Sequence, residues 1–227
     1  SYILLFDIVK NNRFKELNQA ANDSDLTLIK KDKRWAILIS KMKENIKKYN
    51  EGTNKELTTI LQKVYDTDQR SRIILDSIAR QSSRFDSSFY ESTKISRIQS
   101  DSINKRIVTD ILNRHGWLGP TEVSEKGNSA LFLVIQHSDI ETQEKYLPLL
   151  VSAVANKKAS PQQLALLTDR ISLRKNGFQK YGTQLAWDPT AKHYKIAKVI
   201  DEDALNERRL KIGLPSIENY LKAWNSQ

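Results

Sequence analysis

Apolar residues recur at three- and four-residue steps along most of this 227-residue chain, and strict strand alternation is confined to the stretch from Thr183 to Val199. That contrast sets the class: mainly α, with one small β-hairpin near residues 183–199. Gln184-Leu185-Ala186-Trp187 and Tyr194-Lys195-Ile196-Ala197 supply its arms, and the turn-rich segment from Asp188 to His193 lies between them.

The helical pattern divides into recognisable pieces. Residues 55–81 read as one long amphipathic helix with Leu57, Ile60, Leu61, Val64, Leu75 and Ile78 on one face. A polar Ser/Arg/Phe linker follows, and a second long helix, from about Glu91 to His115, carries Ile95, Ile98, Ile103, Ile107, Ile111 and Leu112. The strongly apolar segment from about Ser124 to Ser138 reads as a central helix. Residues 141–156 and 161–175 form a helical pair, with Ser160 as N-cap, Pro161 in the first turn and Asn176-Gly177 as the stop. Two short helices, 202–212 and 217–224, close the chain around Gly213-Leu214-Pro215-Ser216. The expected organisation is a single helical domain over residues 55–227.

Ahead of it, residues 1–50 read as a basic helical N-terminal arm: one or two short helices over 2–22 broken at Asn11-Asn12, another from Asp32 to Tyr49, then a loop from Asn50 to Asn54. The formal charge of +10 permits contact with nucleic acid, anionic lipid or an acidic protein. Lysines such as Lys41, Lys43, Lys47 and Lys48 sit at helical spacing among acids, as on a solvated face, and no aromatic-interleaved basic motif accompanies them. A protein partner for the arm is therefore expected ahead of nucleic acid. The run Tyr2-Ile3-Leu4-Leu5-Phe6 is too short to span a membrane. The chain has no cysteine, which rules out disulfides, thiolate metal sites and cysteine nucleophiles and favours an extracytoplasmic setting over a cytoplasmic one.

No glycine-rich phosphate loop, metal-ligand cluster or serine-elbow motif is present, so neither cofactor nor metal is expected. The informative residues are polar groups on faces that periodicity assigns to the core, where an unpaired charge costs several kcal/mol. His137 continues the stripe of Ala130, Leu133 and Val134 and should point inward, either as a structural hydrogen-bonding group or as an acid/base group near neutral pH. Asp68 interrupts the apolar face of the first long helix, with Gln69 beside it and Arg72 at the i,i+4 distance of an ion pair. Asp169-Arg170 follows a helical segment that is apolar all round, and Arg208-Arg209 lies between Leu205 and Leu210, so one of each pair should reach inward. Asn104 shares a face with Val108 and Ile111. Around Gly182, the segment Gln179-Lys180-Tyr181-Gly182-Thr183-Gln184 concentrates donors and acceptors beside a turn.

In order, Asp68-Gln69-x-x-Arg72, Asn104, Gly116-Trp117, Gln136-His137, Asp169-Arg170, Gln179-x-Tyr181-Gly182-Thr183-Gln184, Arg208-Arg209 and Gly213-Leu214-Pro215 resemble a bacterial family catalogued as domain of unknown function 6624, over about residues 55–222. The resemblance implies a shared fold and a shared polar site, and no reaction.

Two functional expectations follow. One is a pocket centred on His137, oriented by Asp68 or Asp169, in which Arg72, Arg170 or Arg208 holds a small anionic or polar ligand for hydrolysis or transfer. Gln69, Asn104, Gln136, Gln179, Tyr181, Thr183, Gln184 and Arg209 would complete the binding set, with an activated water preferred to Thr183 or Tyr181 as nucleophile. The other is a non-catalytic interaction module whose buried polar network specifies helix packing. Nucleic-acid binding by the basic third is a weaker alternative.

Overall fold

In a computed structural model of the chain, residues 2–10, 17–80 and 86–226 are described. The expected break at Asn11-Asn12 and residues 82–85 of the expected linker lie outside them, and the second long helix begins at Ser87, four residues ahead of the expected Glu91. The chain divides into two compact units, 1–54 and 55–227.

The first unit contains α1 (Tyr2–Lys10), α2 (Leu17–Asn22), a single 3₁₀ turn (Ser24–Leu26), α3 (Thr27–Lys30) and α4 (Trp35–Gly52). It has its own small core of Val9, Ala20, Leu38 and Met42. The buried Asn45 ties α4 to α1 by donating to the Val9 carbonyl at 2.8 Å. Lys30 Nζ donates to the carbonyls of Ala21 and Asp23 at 2.6 and 2.8 Å, placing a cation at the end of α2 where carbonyls lack partners. The helix expected from Asp32 starts at Trp35, because Asp32 accepts from the Arg34 backbone N–H and holds the Arg34 guanidinium in a turn. It then runs through the expected loop to Gly52.

The second unit is mainly α with one two-stranded antiparallel sheet, as the periodicity requires. α5 (Lys55–Arg80) packs against α6 (Ser87–His115) and, most extensively, against α7 (Pro120–His137). α8 (Ile140–Ala155) and α9 (Pro161–Asn176) form the helical pair. Leu61, Val64, Val108, Leu112, Leu131, Ile135, Leu150 and Leu167 meet in one core, where each buried aliphatic side chain contributes about 1.5–3 kcal/mol. The termini follow local chemistry. Asp86 accepts from the N–H groups of Ser88 and Phe89 to start α6. Ser160 and Gln163 reciprocate across the first turn of α9. Gly177 takes the left-handed conformation, φ 75°, that ends α9.

α7 starts earlier than its apolar run, with one turn at Pro120 followed by a kink in which Ser124 adopts φ 70°. Ser124 Oγ accepts from the Gly127 N–H, so the residue expected to open the helix caps its long half. β1 (Leu185–Asp188) pairs with β2 (His193–Ile196) in the register Leu185↔Ile196 to Asp188↔His193. Asp188 Oδ1 fixes the turn by accepting from the N–H groups of Thr190 and Ala191. α10 (Leu205–Lys211) and α11 (Ile217–Asn225) complete the fold.

One expectation is corrected here. Ile95, Ile98 and Ile103 do not face the core; they are 56%, 61% and 52% exposed. All three project away from the face of α6 that buries Thr93, Asn104, Val108 and Ile111, because about 3.6 residues complete each turn.

Candidate functional site

The end of α7 is where three helices bring polar side chains together. Asp68 of α5 is 1% exposed and faces His137, whose Nδ1 lies 3.1 Å from each carboxylate oxygen. Burial raises the Asp68 pKa, but the hydrogen bond and charge of His137, the charge of Arg72 and a hydrogen bond from Gln69 outweigh it, and the carboxyl is held below its ordinary value. It is therefore an acceptor at neutral pH, and His137 Nδ1 must be the donor. In the neutral imidazole this leaves a lone pair on Nε2, which no protein group among the described residues engages.

The expected Asp68–Arg72 pair is present, with Nη1 3.3 Å from Oδ1. Gln69 Nε2 donates to Asp68 Oδ2 at 2.7 Å. Arg72 also makes a two-pronged contact with Asp101 of α6, at 2.9 and 3.0 Å. Asn104 is one turn further along α6 and ties it to α5, accepting from Thr67 Oγ1 at 3.0 Å. It is a link between helices and does not line the cavity beside His137.

That cavity has a volume of about 230 Å³ and is lined in part by Asp68, Asp101, Ser102, Lys105 and His137. Asp139 caps α8 by accepting from the Thr142 N–H and pairs with Lys105 at 2.7 Å across the rim, and these contacts hold its carboxyl far below the usual range. Gln143 fixes the end of α7: its Nε2 donates to the carbonyls of Gln136 and Ser138 at 2.8 and 2.9 Å. Gln136 itself is buried, and its Oε1 has no partner among the described residues. Arg170 of α9 makes no hydrogen bond or ion pair among the described residues, and its buried Nε has no acceptor. Burial, followed by the charges of Arg174 and Arg72, lowers its pKa.

The other expected residues form a separate system. Asp169 is fully buried and accepts from the backbone N–H groups of Lys180, Tyr181 and Thr183 and from Thr183 Oγ1, at 2.8–3.1 Å. Gln179 bridges the loop to the hairpin. Its Nε2 donates to the carbonyls of Gln184 and Ala197, and its Oε1 accepts from the Gln184 N–H. Arg209 reaches inward, fully buried, and donates to the carbonyls of Pro215 and Tyr181 at 2.7 and 2.6 Å while stacking on Tyr220. Arg208 lies outside it and donates to the carbonyls of Lys180, Ile200 and Asp201. Gly182, at φ 66°, packs its α-carbon against Ile217 and Leu205, where a Cβ would come within 3.3 Å of the Ile217 side chain. No hydrogen bond among the described residues links this loop to His137. The hydrogen-bonding groups of residues 179–184 are engaged instead by one another, by Asp169 and by Arg208, Arg209, Tyr220 and Ala197. Of the two carboxylates considered for orienting His137, Asp68 makes that contact.

Three participants were not singled out from sequence: Asp101, Lys105 and Asp139. Asp101 lies one turn before Asn104, which offered a faint signal, and Asp139 precedes an apolar helix in the manner of an N-cap. Among the described residues no group of three His, Asp or Glu side chains could hold a metal ion.

Fold and site together define a mainly helical domain with a buried carboxylate-histidine pair opening on a small polar cavity. The chain belongs to a family of unknown function, DUF6624, whose model matches residues 72–226. Asp68 and Gln69 precede the matched span, and His137, Asp169 and the 179–184 loop fall within it. No curated protein and no solved structure matches the chain.

Proposed function

We propose that the second unit is a small-ligand site that binds, and hydrolyses or transfers, an anionic or polar molecule at His137. The observation that carries this reading is the 3.1 Å contact of His137 Nδ1 with a buried, ionised Asp68, beside an open cavity on which Asp101 and Lys105 converge. A carboxylate that fixes one imidazole nitrogen as donor leaves the other as a base of defined direction. A water against Nε2 would give its proton to the imidazole as its oxygen bonds to the carbon or phosphorus under attack. The leaving group would depart with the bonding electron pair and recover that proton from the imidazolium. Arg72 supports the pair by holding negative charge on Asp68. Arg170 is not among the residues lining this cavity; its half-buried guanidinium, without an acceptor among the described residues, would meet a ligand oxyanion only where the ligand extends past that lining.

A thermal-shift screen with nucleotides, sugar phosphates and simple phosphate and carboxylate esters tests the reading. A ligand seated at His137 raises Tm by mass action more in the wild type than in His137→Gln. Equal shifts in both proteins across every hit would remove His137 from the site.

A second reading, a non-catalytic helical module with a structural polar network, draws on the closure of Arg72 onto Asp101 and the saturation of Asp169. It predicts no ligand-dependent shift for any compound class and an acidic or apolar protein partner.

A further inference from the structure

The cavity at His137 does not end at Lys105. Ser102 and Lys105 also line a larger chamber of about 560 Å³ between α6 and α8. That volume lies within the range of small-molecule pockets, about 300–1,000 Å³, whereas the 230 Å³ beside His137 falls below it. The two form one path along α6, because Ser102, Arg106 and Asn113 recur at helical steps on the same face of that helix, opposite the buried Asn104, Val108 and Ile111.

Charge in the larger chamber is one-sided. Lys105, Arg106 and Lys145 line it, and no carboxylate does. Of the acids nearby in sequence, Asp110 pairs with Arg114, Glu144 with Lys175, and Asp139 holds Lys105 at the junction, while the exposed Glu141, one turn before Lys145, is not among the lining residues. Arg106 and Lys145 make no hydrogen bond or ion pair among the described residues. Lys145 Nζ lies 5.2 Å from the ring centroid of Tyr146. Tyr146 is buried and donates to Asn113 Oδ1 at 2.9 Å, which orients the Asn113 amide so that its NH₂ is available.

We infer that this chamber is the subsite for the oxyanion-bearing body of an elongated ligand, carrying phosphate or carboxylate groups, whose reactive end crosses Ser102 and Lys105 to reach His137. The inference rests on the reading above for its reactive end; the binding of the anionic body stands on the chamber alone. Two exposed, unpaired cations, an amide donor and hydroxyl groups around a concave floor recognise oxyanions, and no carboxylate is among the lining residues. The small pocket at His137 then has room for the group being cleaved or transferred, while most of the binding surface lies next door. Binding energy from a remote, non-reacting part of a substrate is what positions the reacting bond.

Calorimetric titration of the full chain with tripolyphosphate and, separately, with citrate tests this, with Arg106→Gln/Lys145→Gln and His137→Gln as comparisons and circular dichroism to verify that each is folded. At least one probe should bind the wild type with one-to-one stoichiometry, and the better probe identifies phosphate or carboxylate as the preferred oxyanion. The double substitution should raise Kd roughly tenfold, corresponding to about 1.4 kcal/mol, and His137→Gln should leave Kd within about threefold, or about 0.6 kcal/mol. If neither probe binds the wild type, or the double variant binds as tightly as the wild type, the subsite is wrong. Probe binding that survives while no ester gives a His137-dependent response would instead remove the hydrolytic reading and leave the subsite standing.

Discussion

Asp68 and Asp169 are the same side chain in the same degree of burial, 1% and 0% exposed, each on a long helix and each beside arginines in sequence. What differs is the kind of donor that satisfies them. Asp169 receives three backbone N–H groups and the Thr183 hydroxyl, all from residues 180–183. Its acceptor capacity is taken up in giving that loop a shape. Asp68 receives the side chains of Gln69, His137 and Arg72. One of these, His137, has a second functional nitrogen and lies on a cavity. Burial of a carboxylate therefore does not separate a structural group from a candidate chemical one; the other commitments of its donors do.

The comparison breaks most visibly if Asp169 is removed. Asp169→Ala leaves four donors without an acceptor in the interior, each costing about 1–3 kcal/mol when unsatisfied. Allowing for relaxation, the expected loss is about 4 kcal/mol or more, read as a fall in the urea midpoint at unchanged m-value. A loss under about 1 kcal/mol, the range of ordinary surface changes, would mean that the loop is held by something other than this carboxylate. Arg209→Met should come next, at about 2–4 kcal/mol, because it removes the donors to the Pro215 and Tyr181 carbonyls while preserving most of the buried volume. Both variants should leave any response to ligands of the His137 cavity intact wherever they remain folded.

The opposite profile is expected of His137→Gln. The glutamine can still donate to Asp68, and the position is partly exposed, so stability should change by about 1 kcal/mol or less. Hydrolytic turnover and the Tm shift from ligands confined to the His137 cavity should nevertheless disappear. If stability falls as far as in Asp169→Ala with ligand response unchanged, His137 belongs with the structural group and the contrast between the two carboxylates collapses.

Much of this arrangement was legible in the sequence, for reasons that also mark where legibility stopped. The helices, the Ser160 cap, the Gly177 stop and the hairpin are written in local patterns of three to seven residues. Asp68, Arg72 and His137 were identifiable because helical period says which face a residue occupies. The fate of residues 179–184 was not, because period reports that a polar group is buried and says nothing about how many donors reach it through space. Gln179 and Gln184 looked like available hydrogen-bonding capacity; they satisfy each other and Ala197. Ile95 and Ile98 failed differently. They lie off the face of α6 that buries Thr93, Asn104, Val108 and Ile111, so the apolar residues of this helix do not form one stripe, and which face is buried depends on the neighbours packed against it.

The smallest expected effect is the most specific to Asp68, and it is a dependence on pH. Its folded-state pKa lies below the ordinary aspartate value of 3.8, since the contacts from His137, Arg72 and Gln69 outweigh the burial that opposes them. A carboxyl lowered in this way contributes stability that is fully present above its unfolded pKa and is lost as pH falls through the folded one. The stability that the Asp68 carboxylate contributes over Asp68→Asn should therefore shrink below about pH 4, where the unfolded chain begins to bind the proton that the folded chain resists. Asp139 is also held low, by Lys105 and Thr142, but it is common to both proteins and cancels in the difference. Urea midpoints for the pair at pH 7, 5 and 3 would show this. A gap that stays constant down to pH 3 would mean that His137 and Arg72 do not stabilise the Asp68 carboxylate, and the base assigned to His137 Nε2 would lose the partner that orients it.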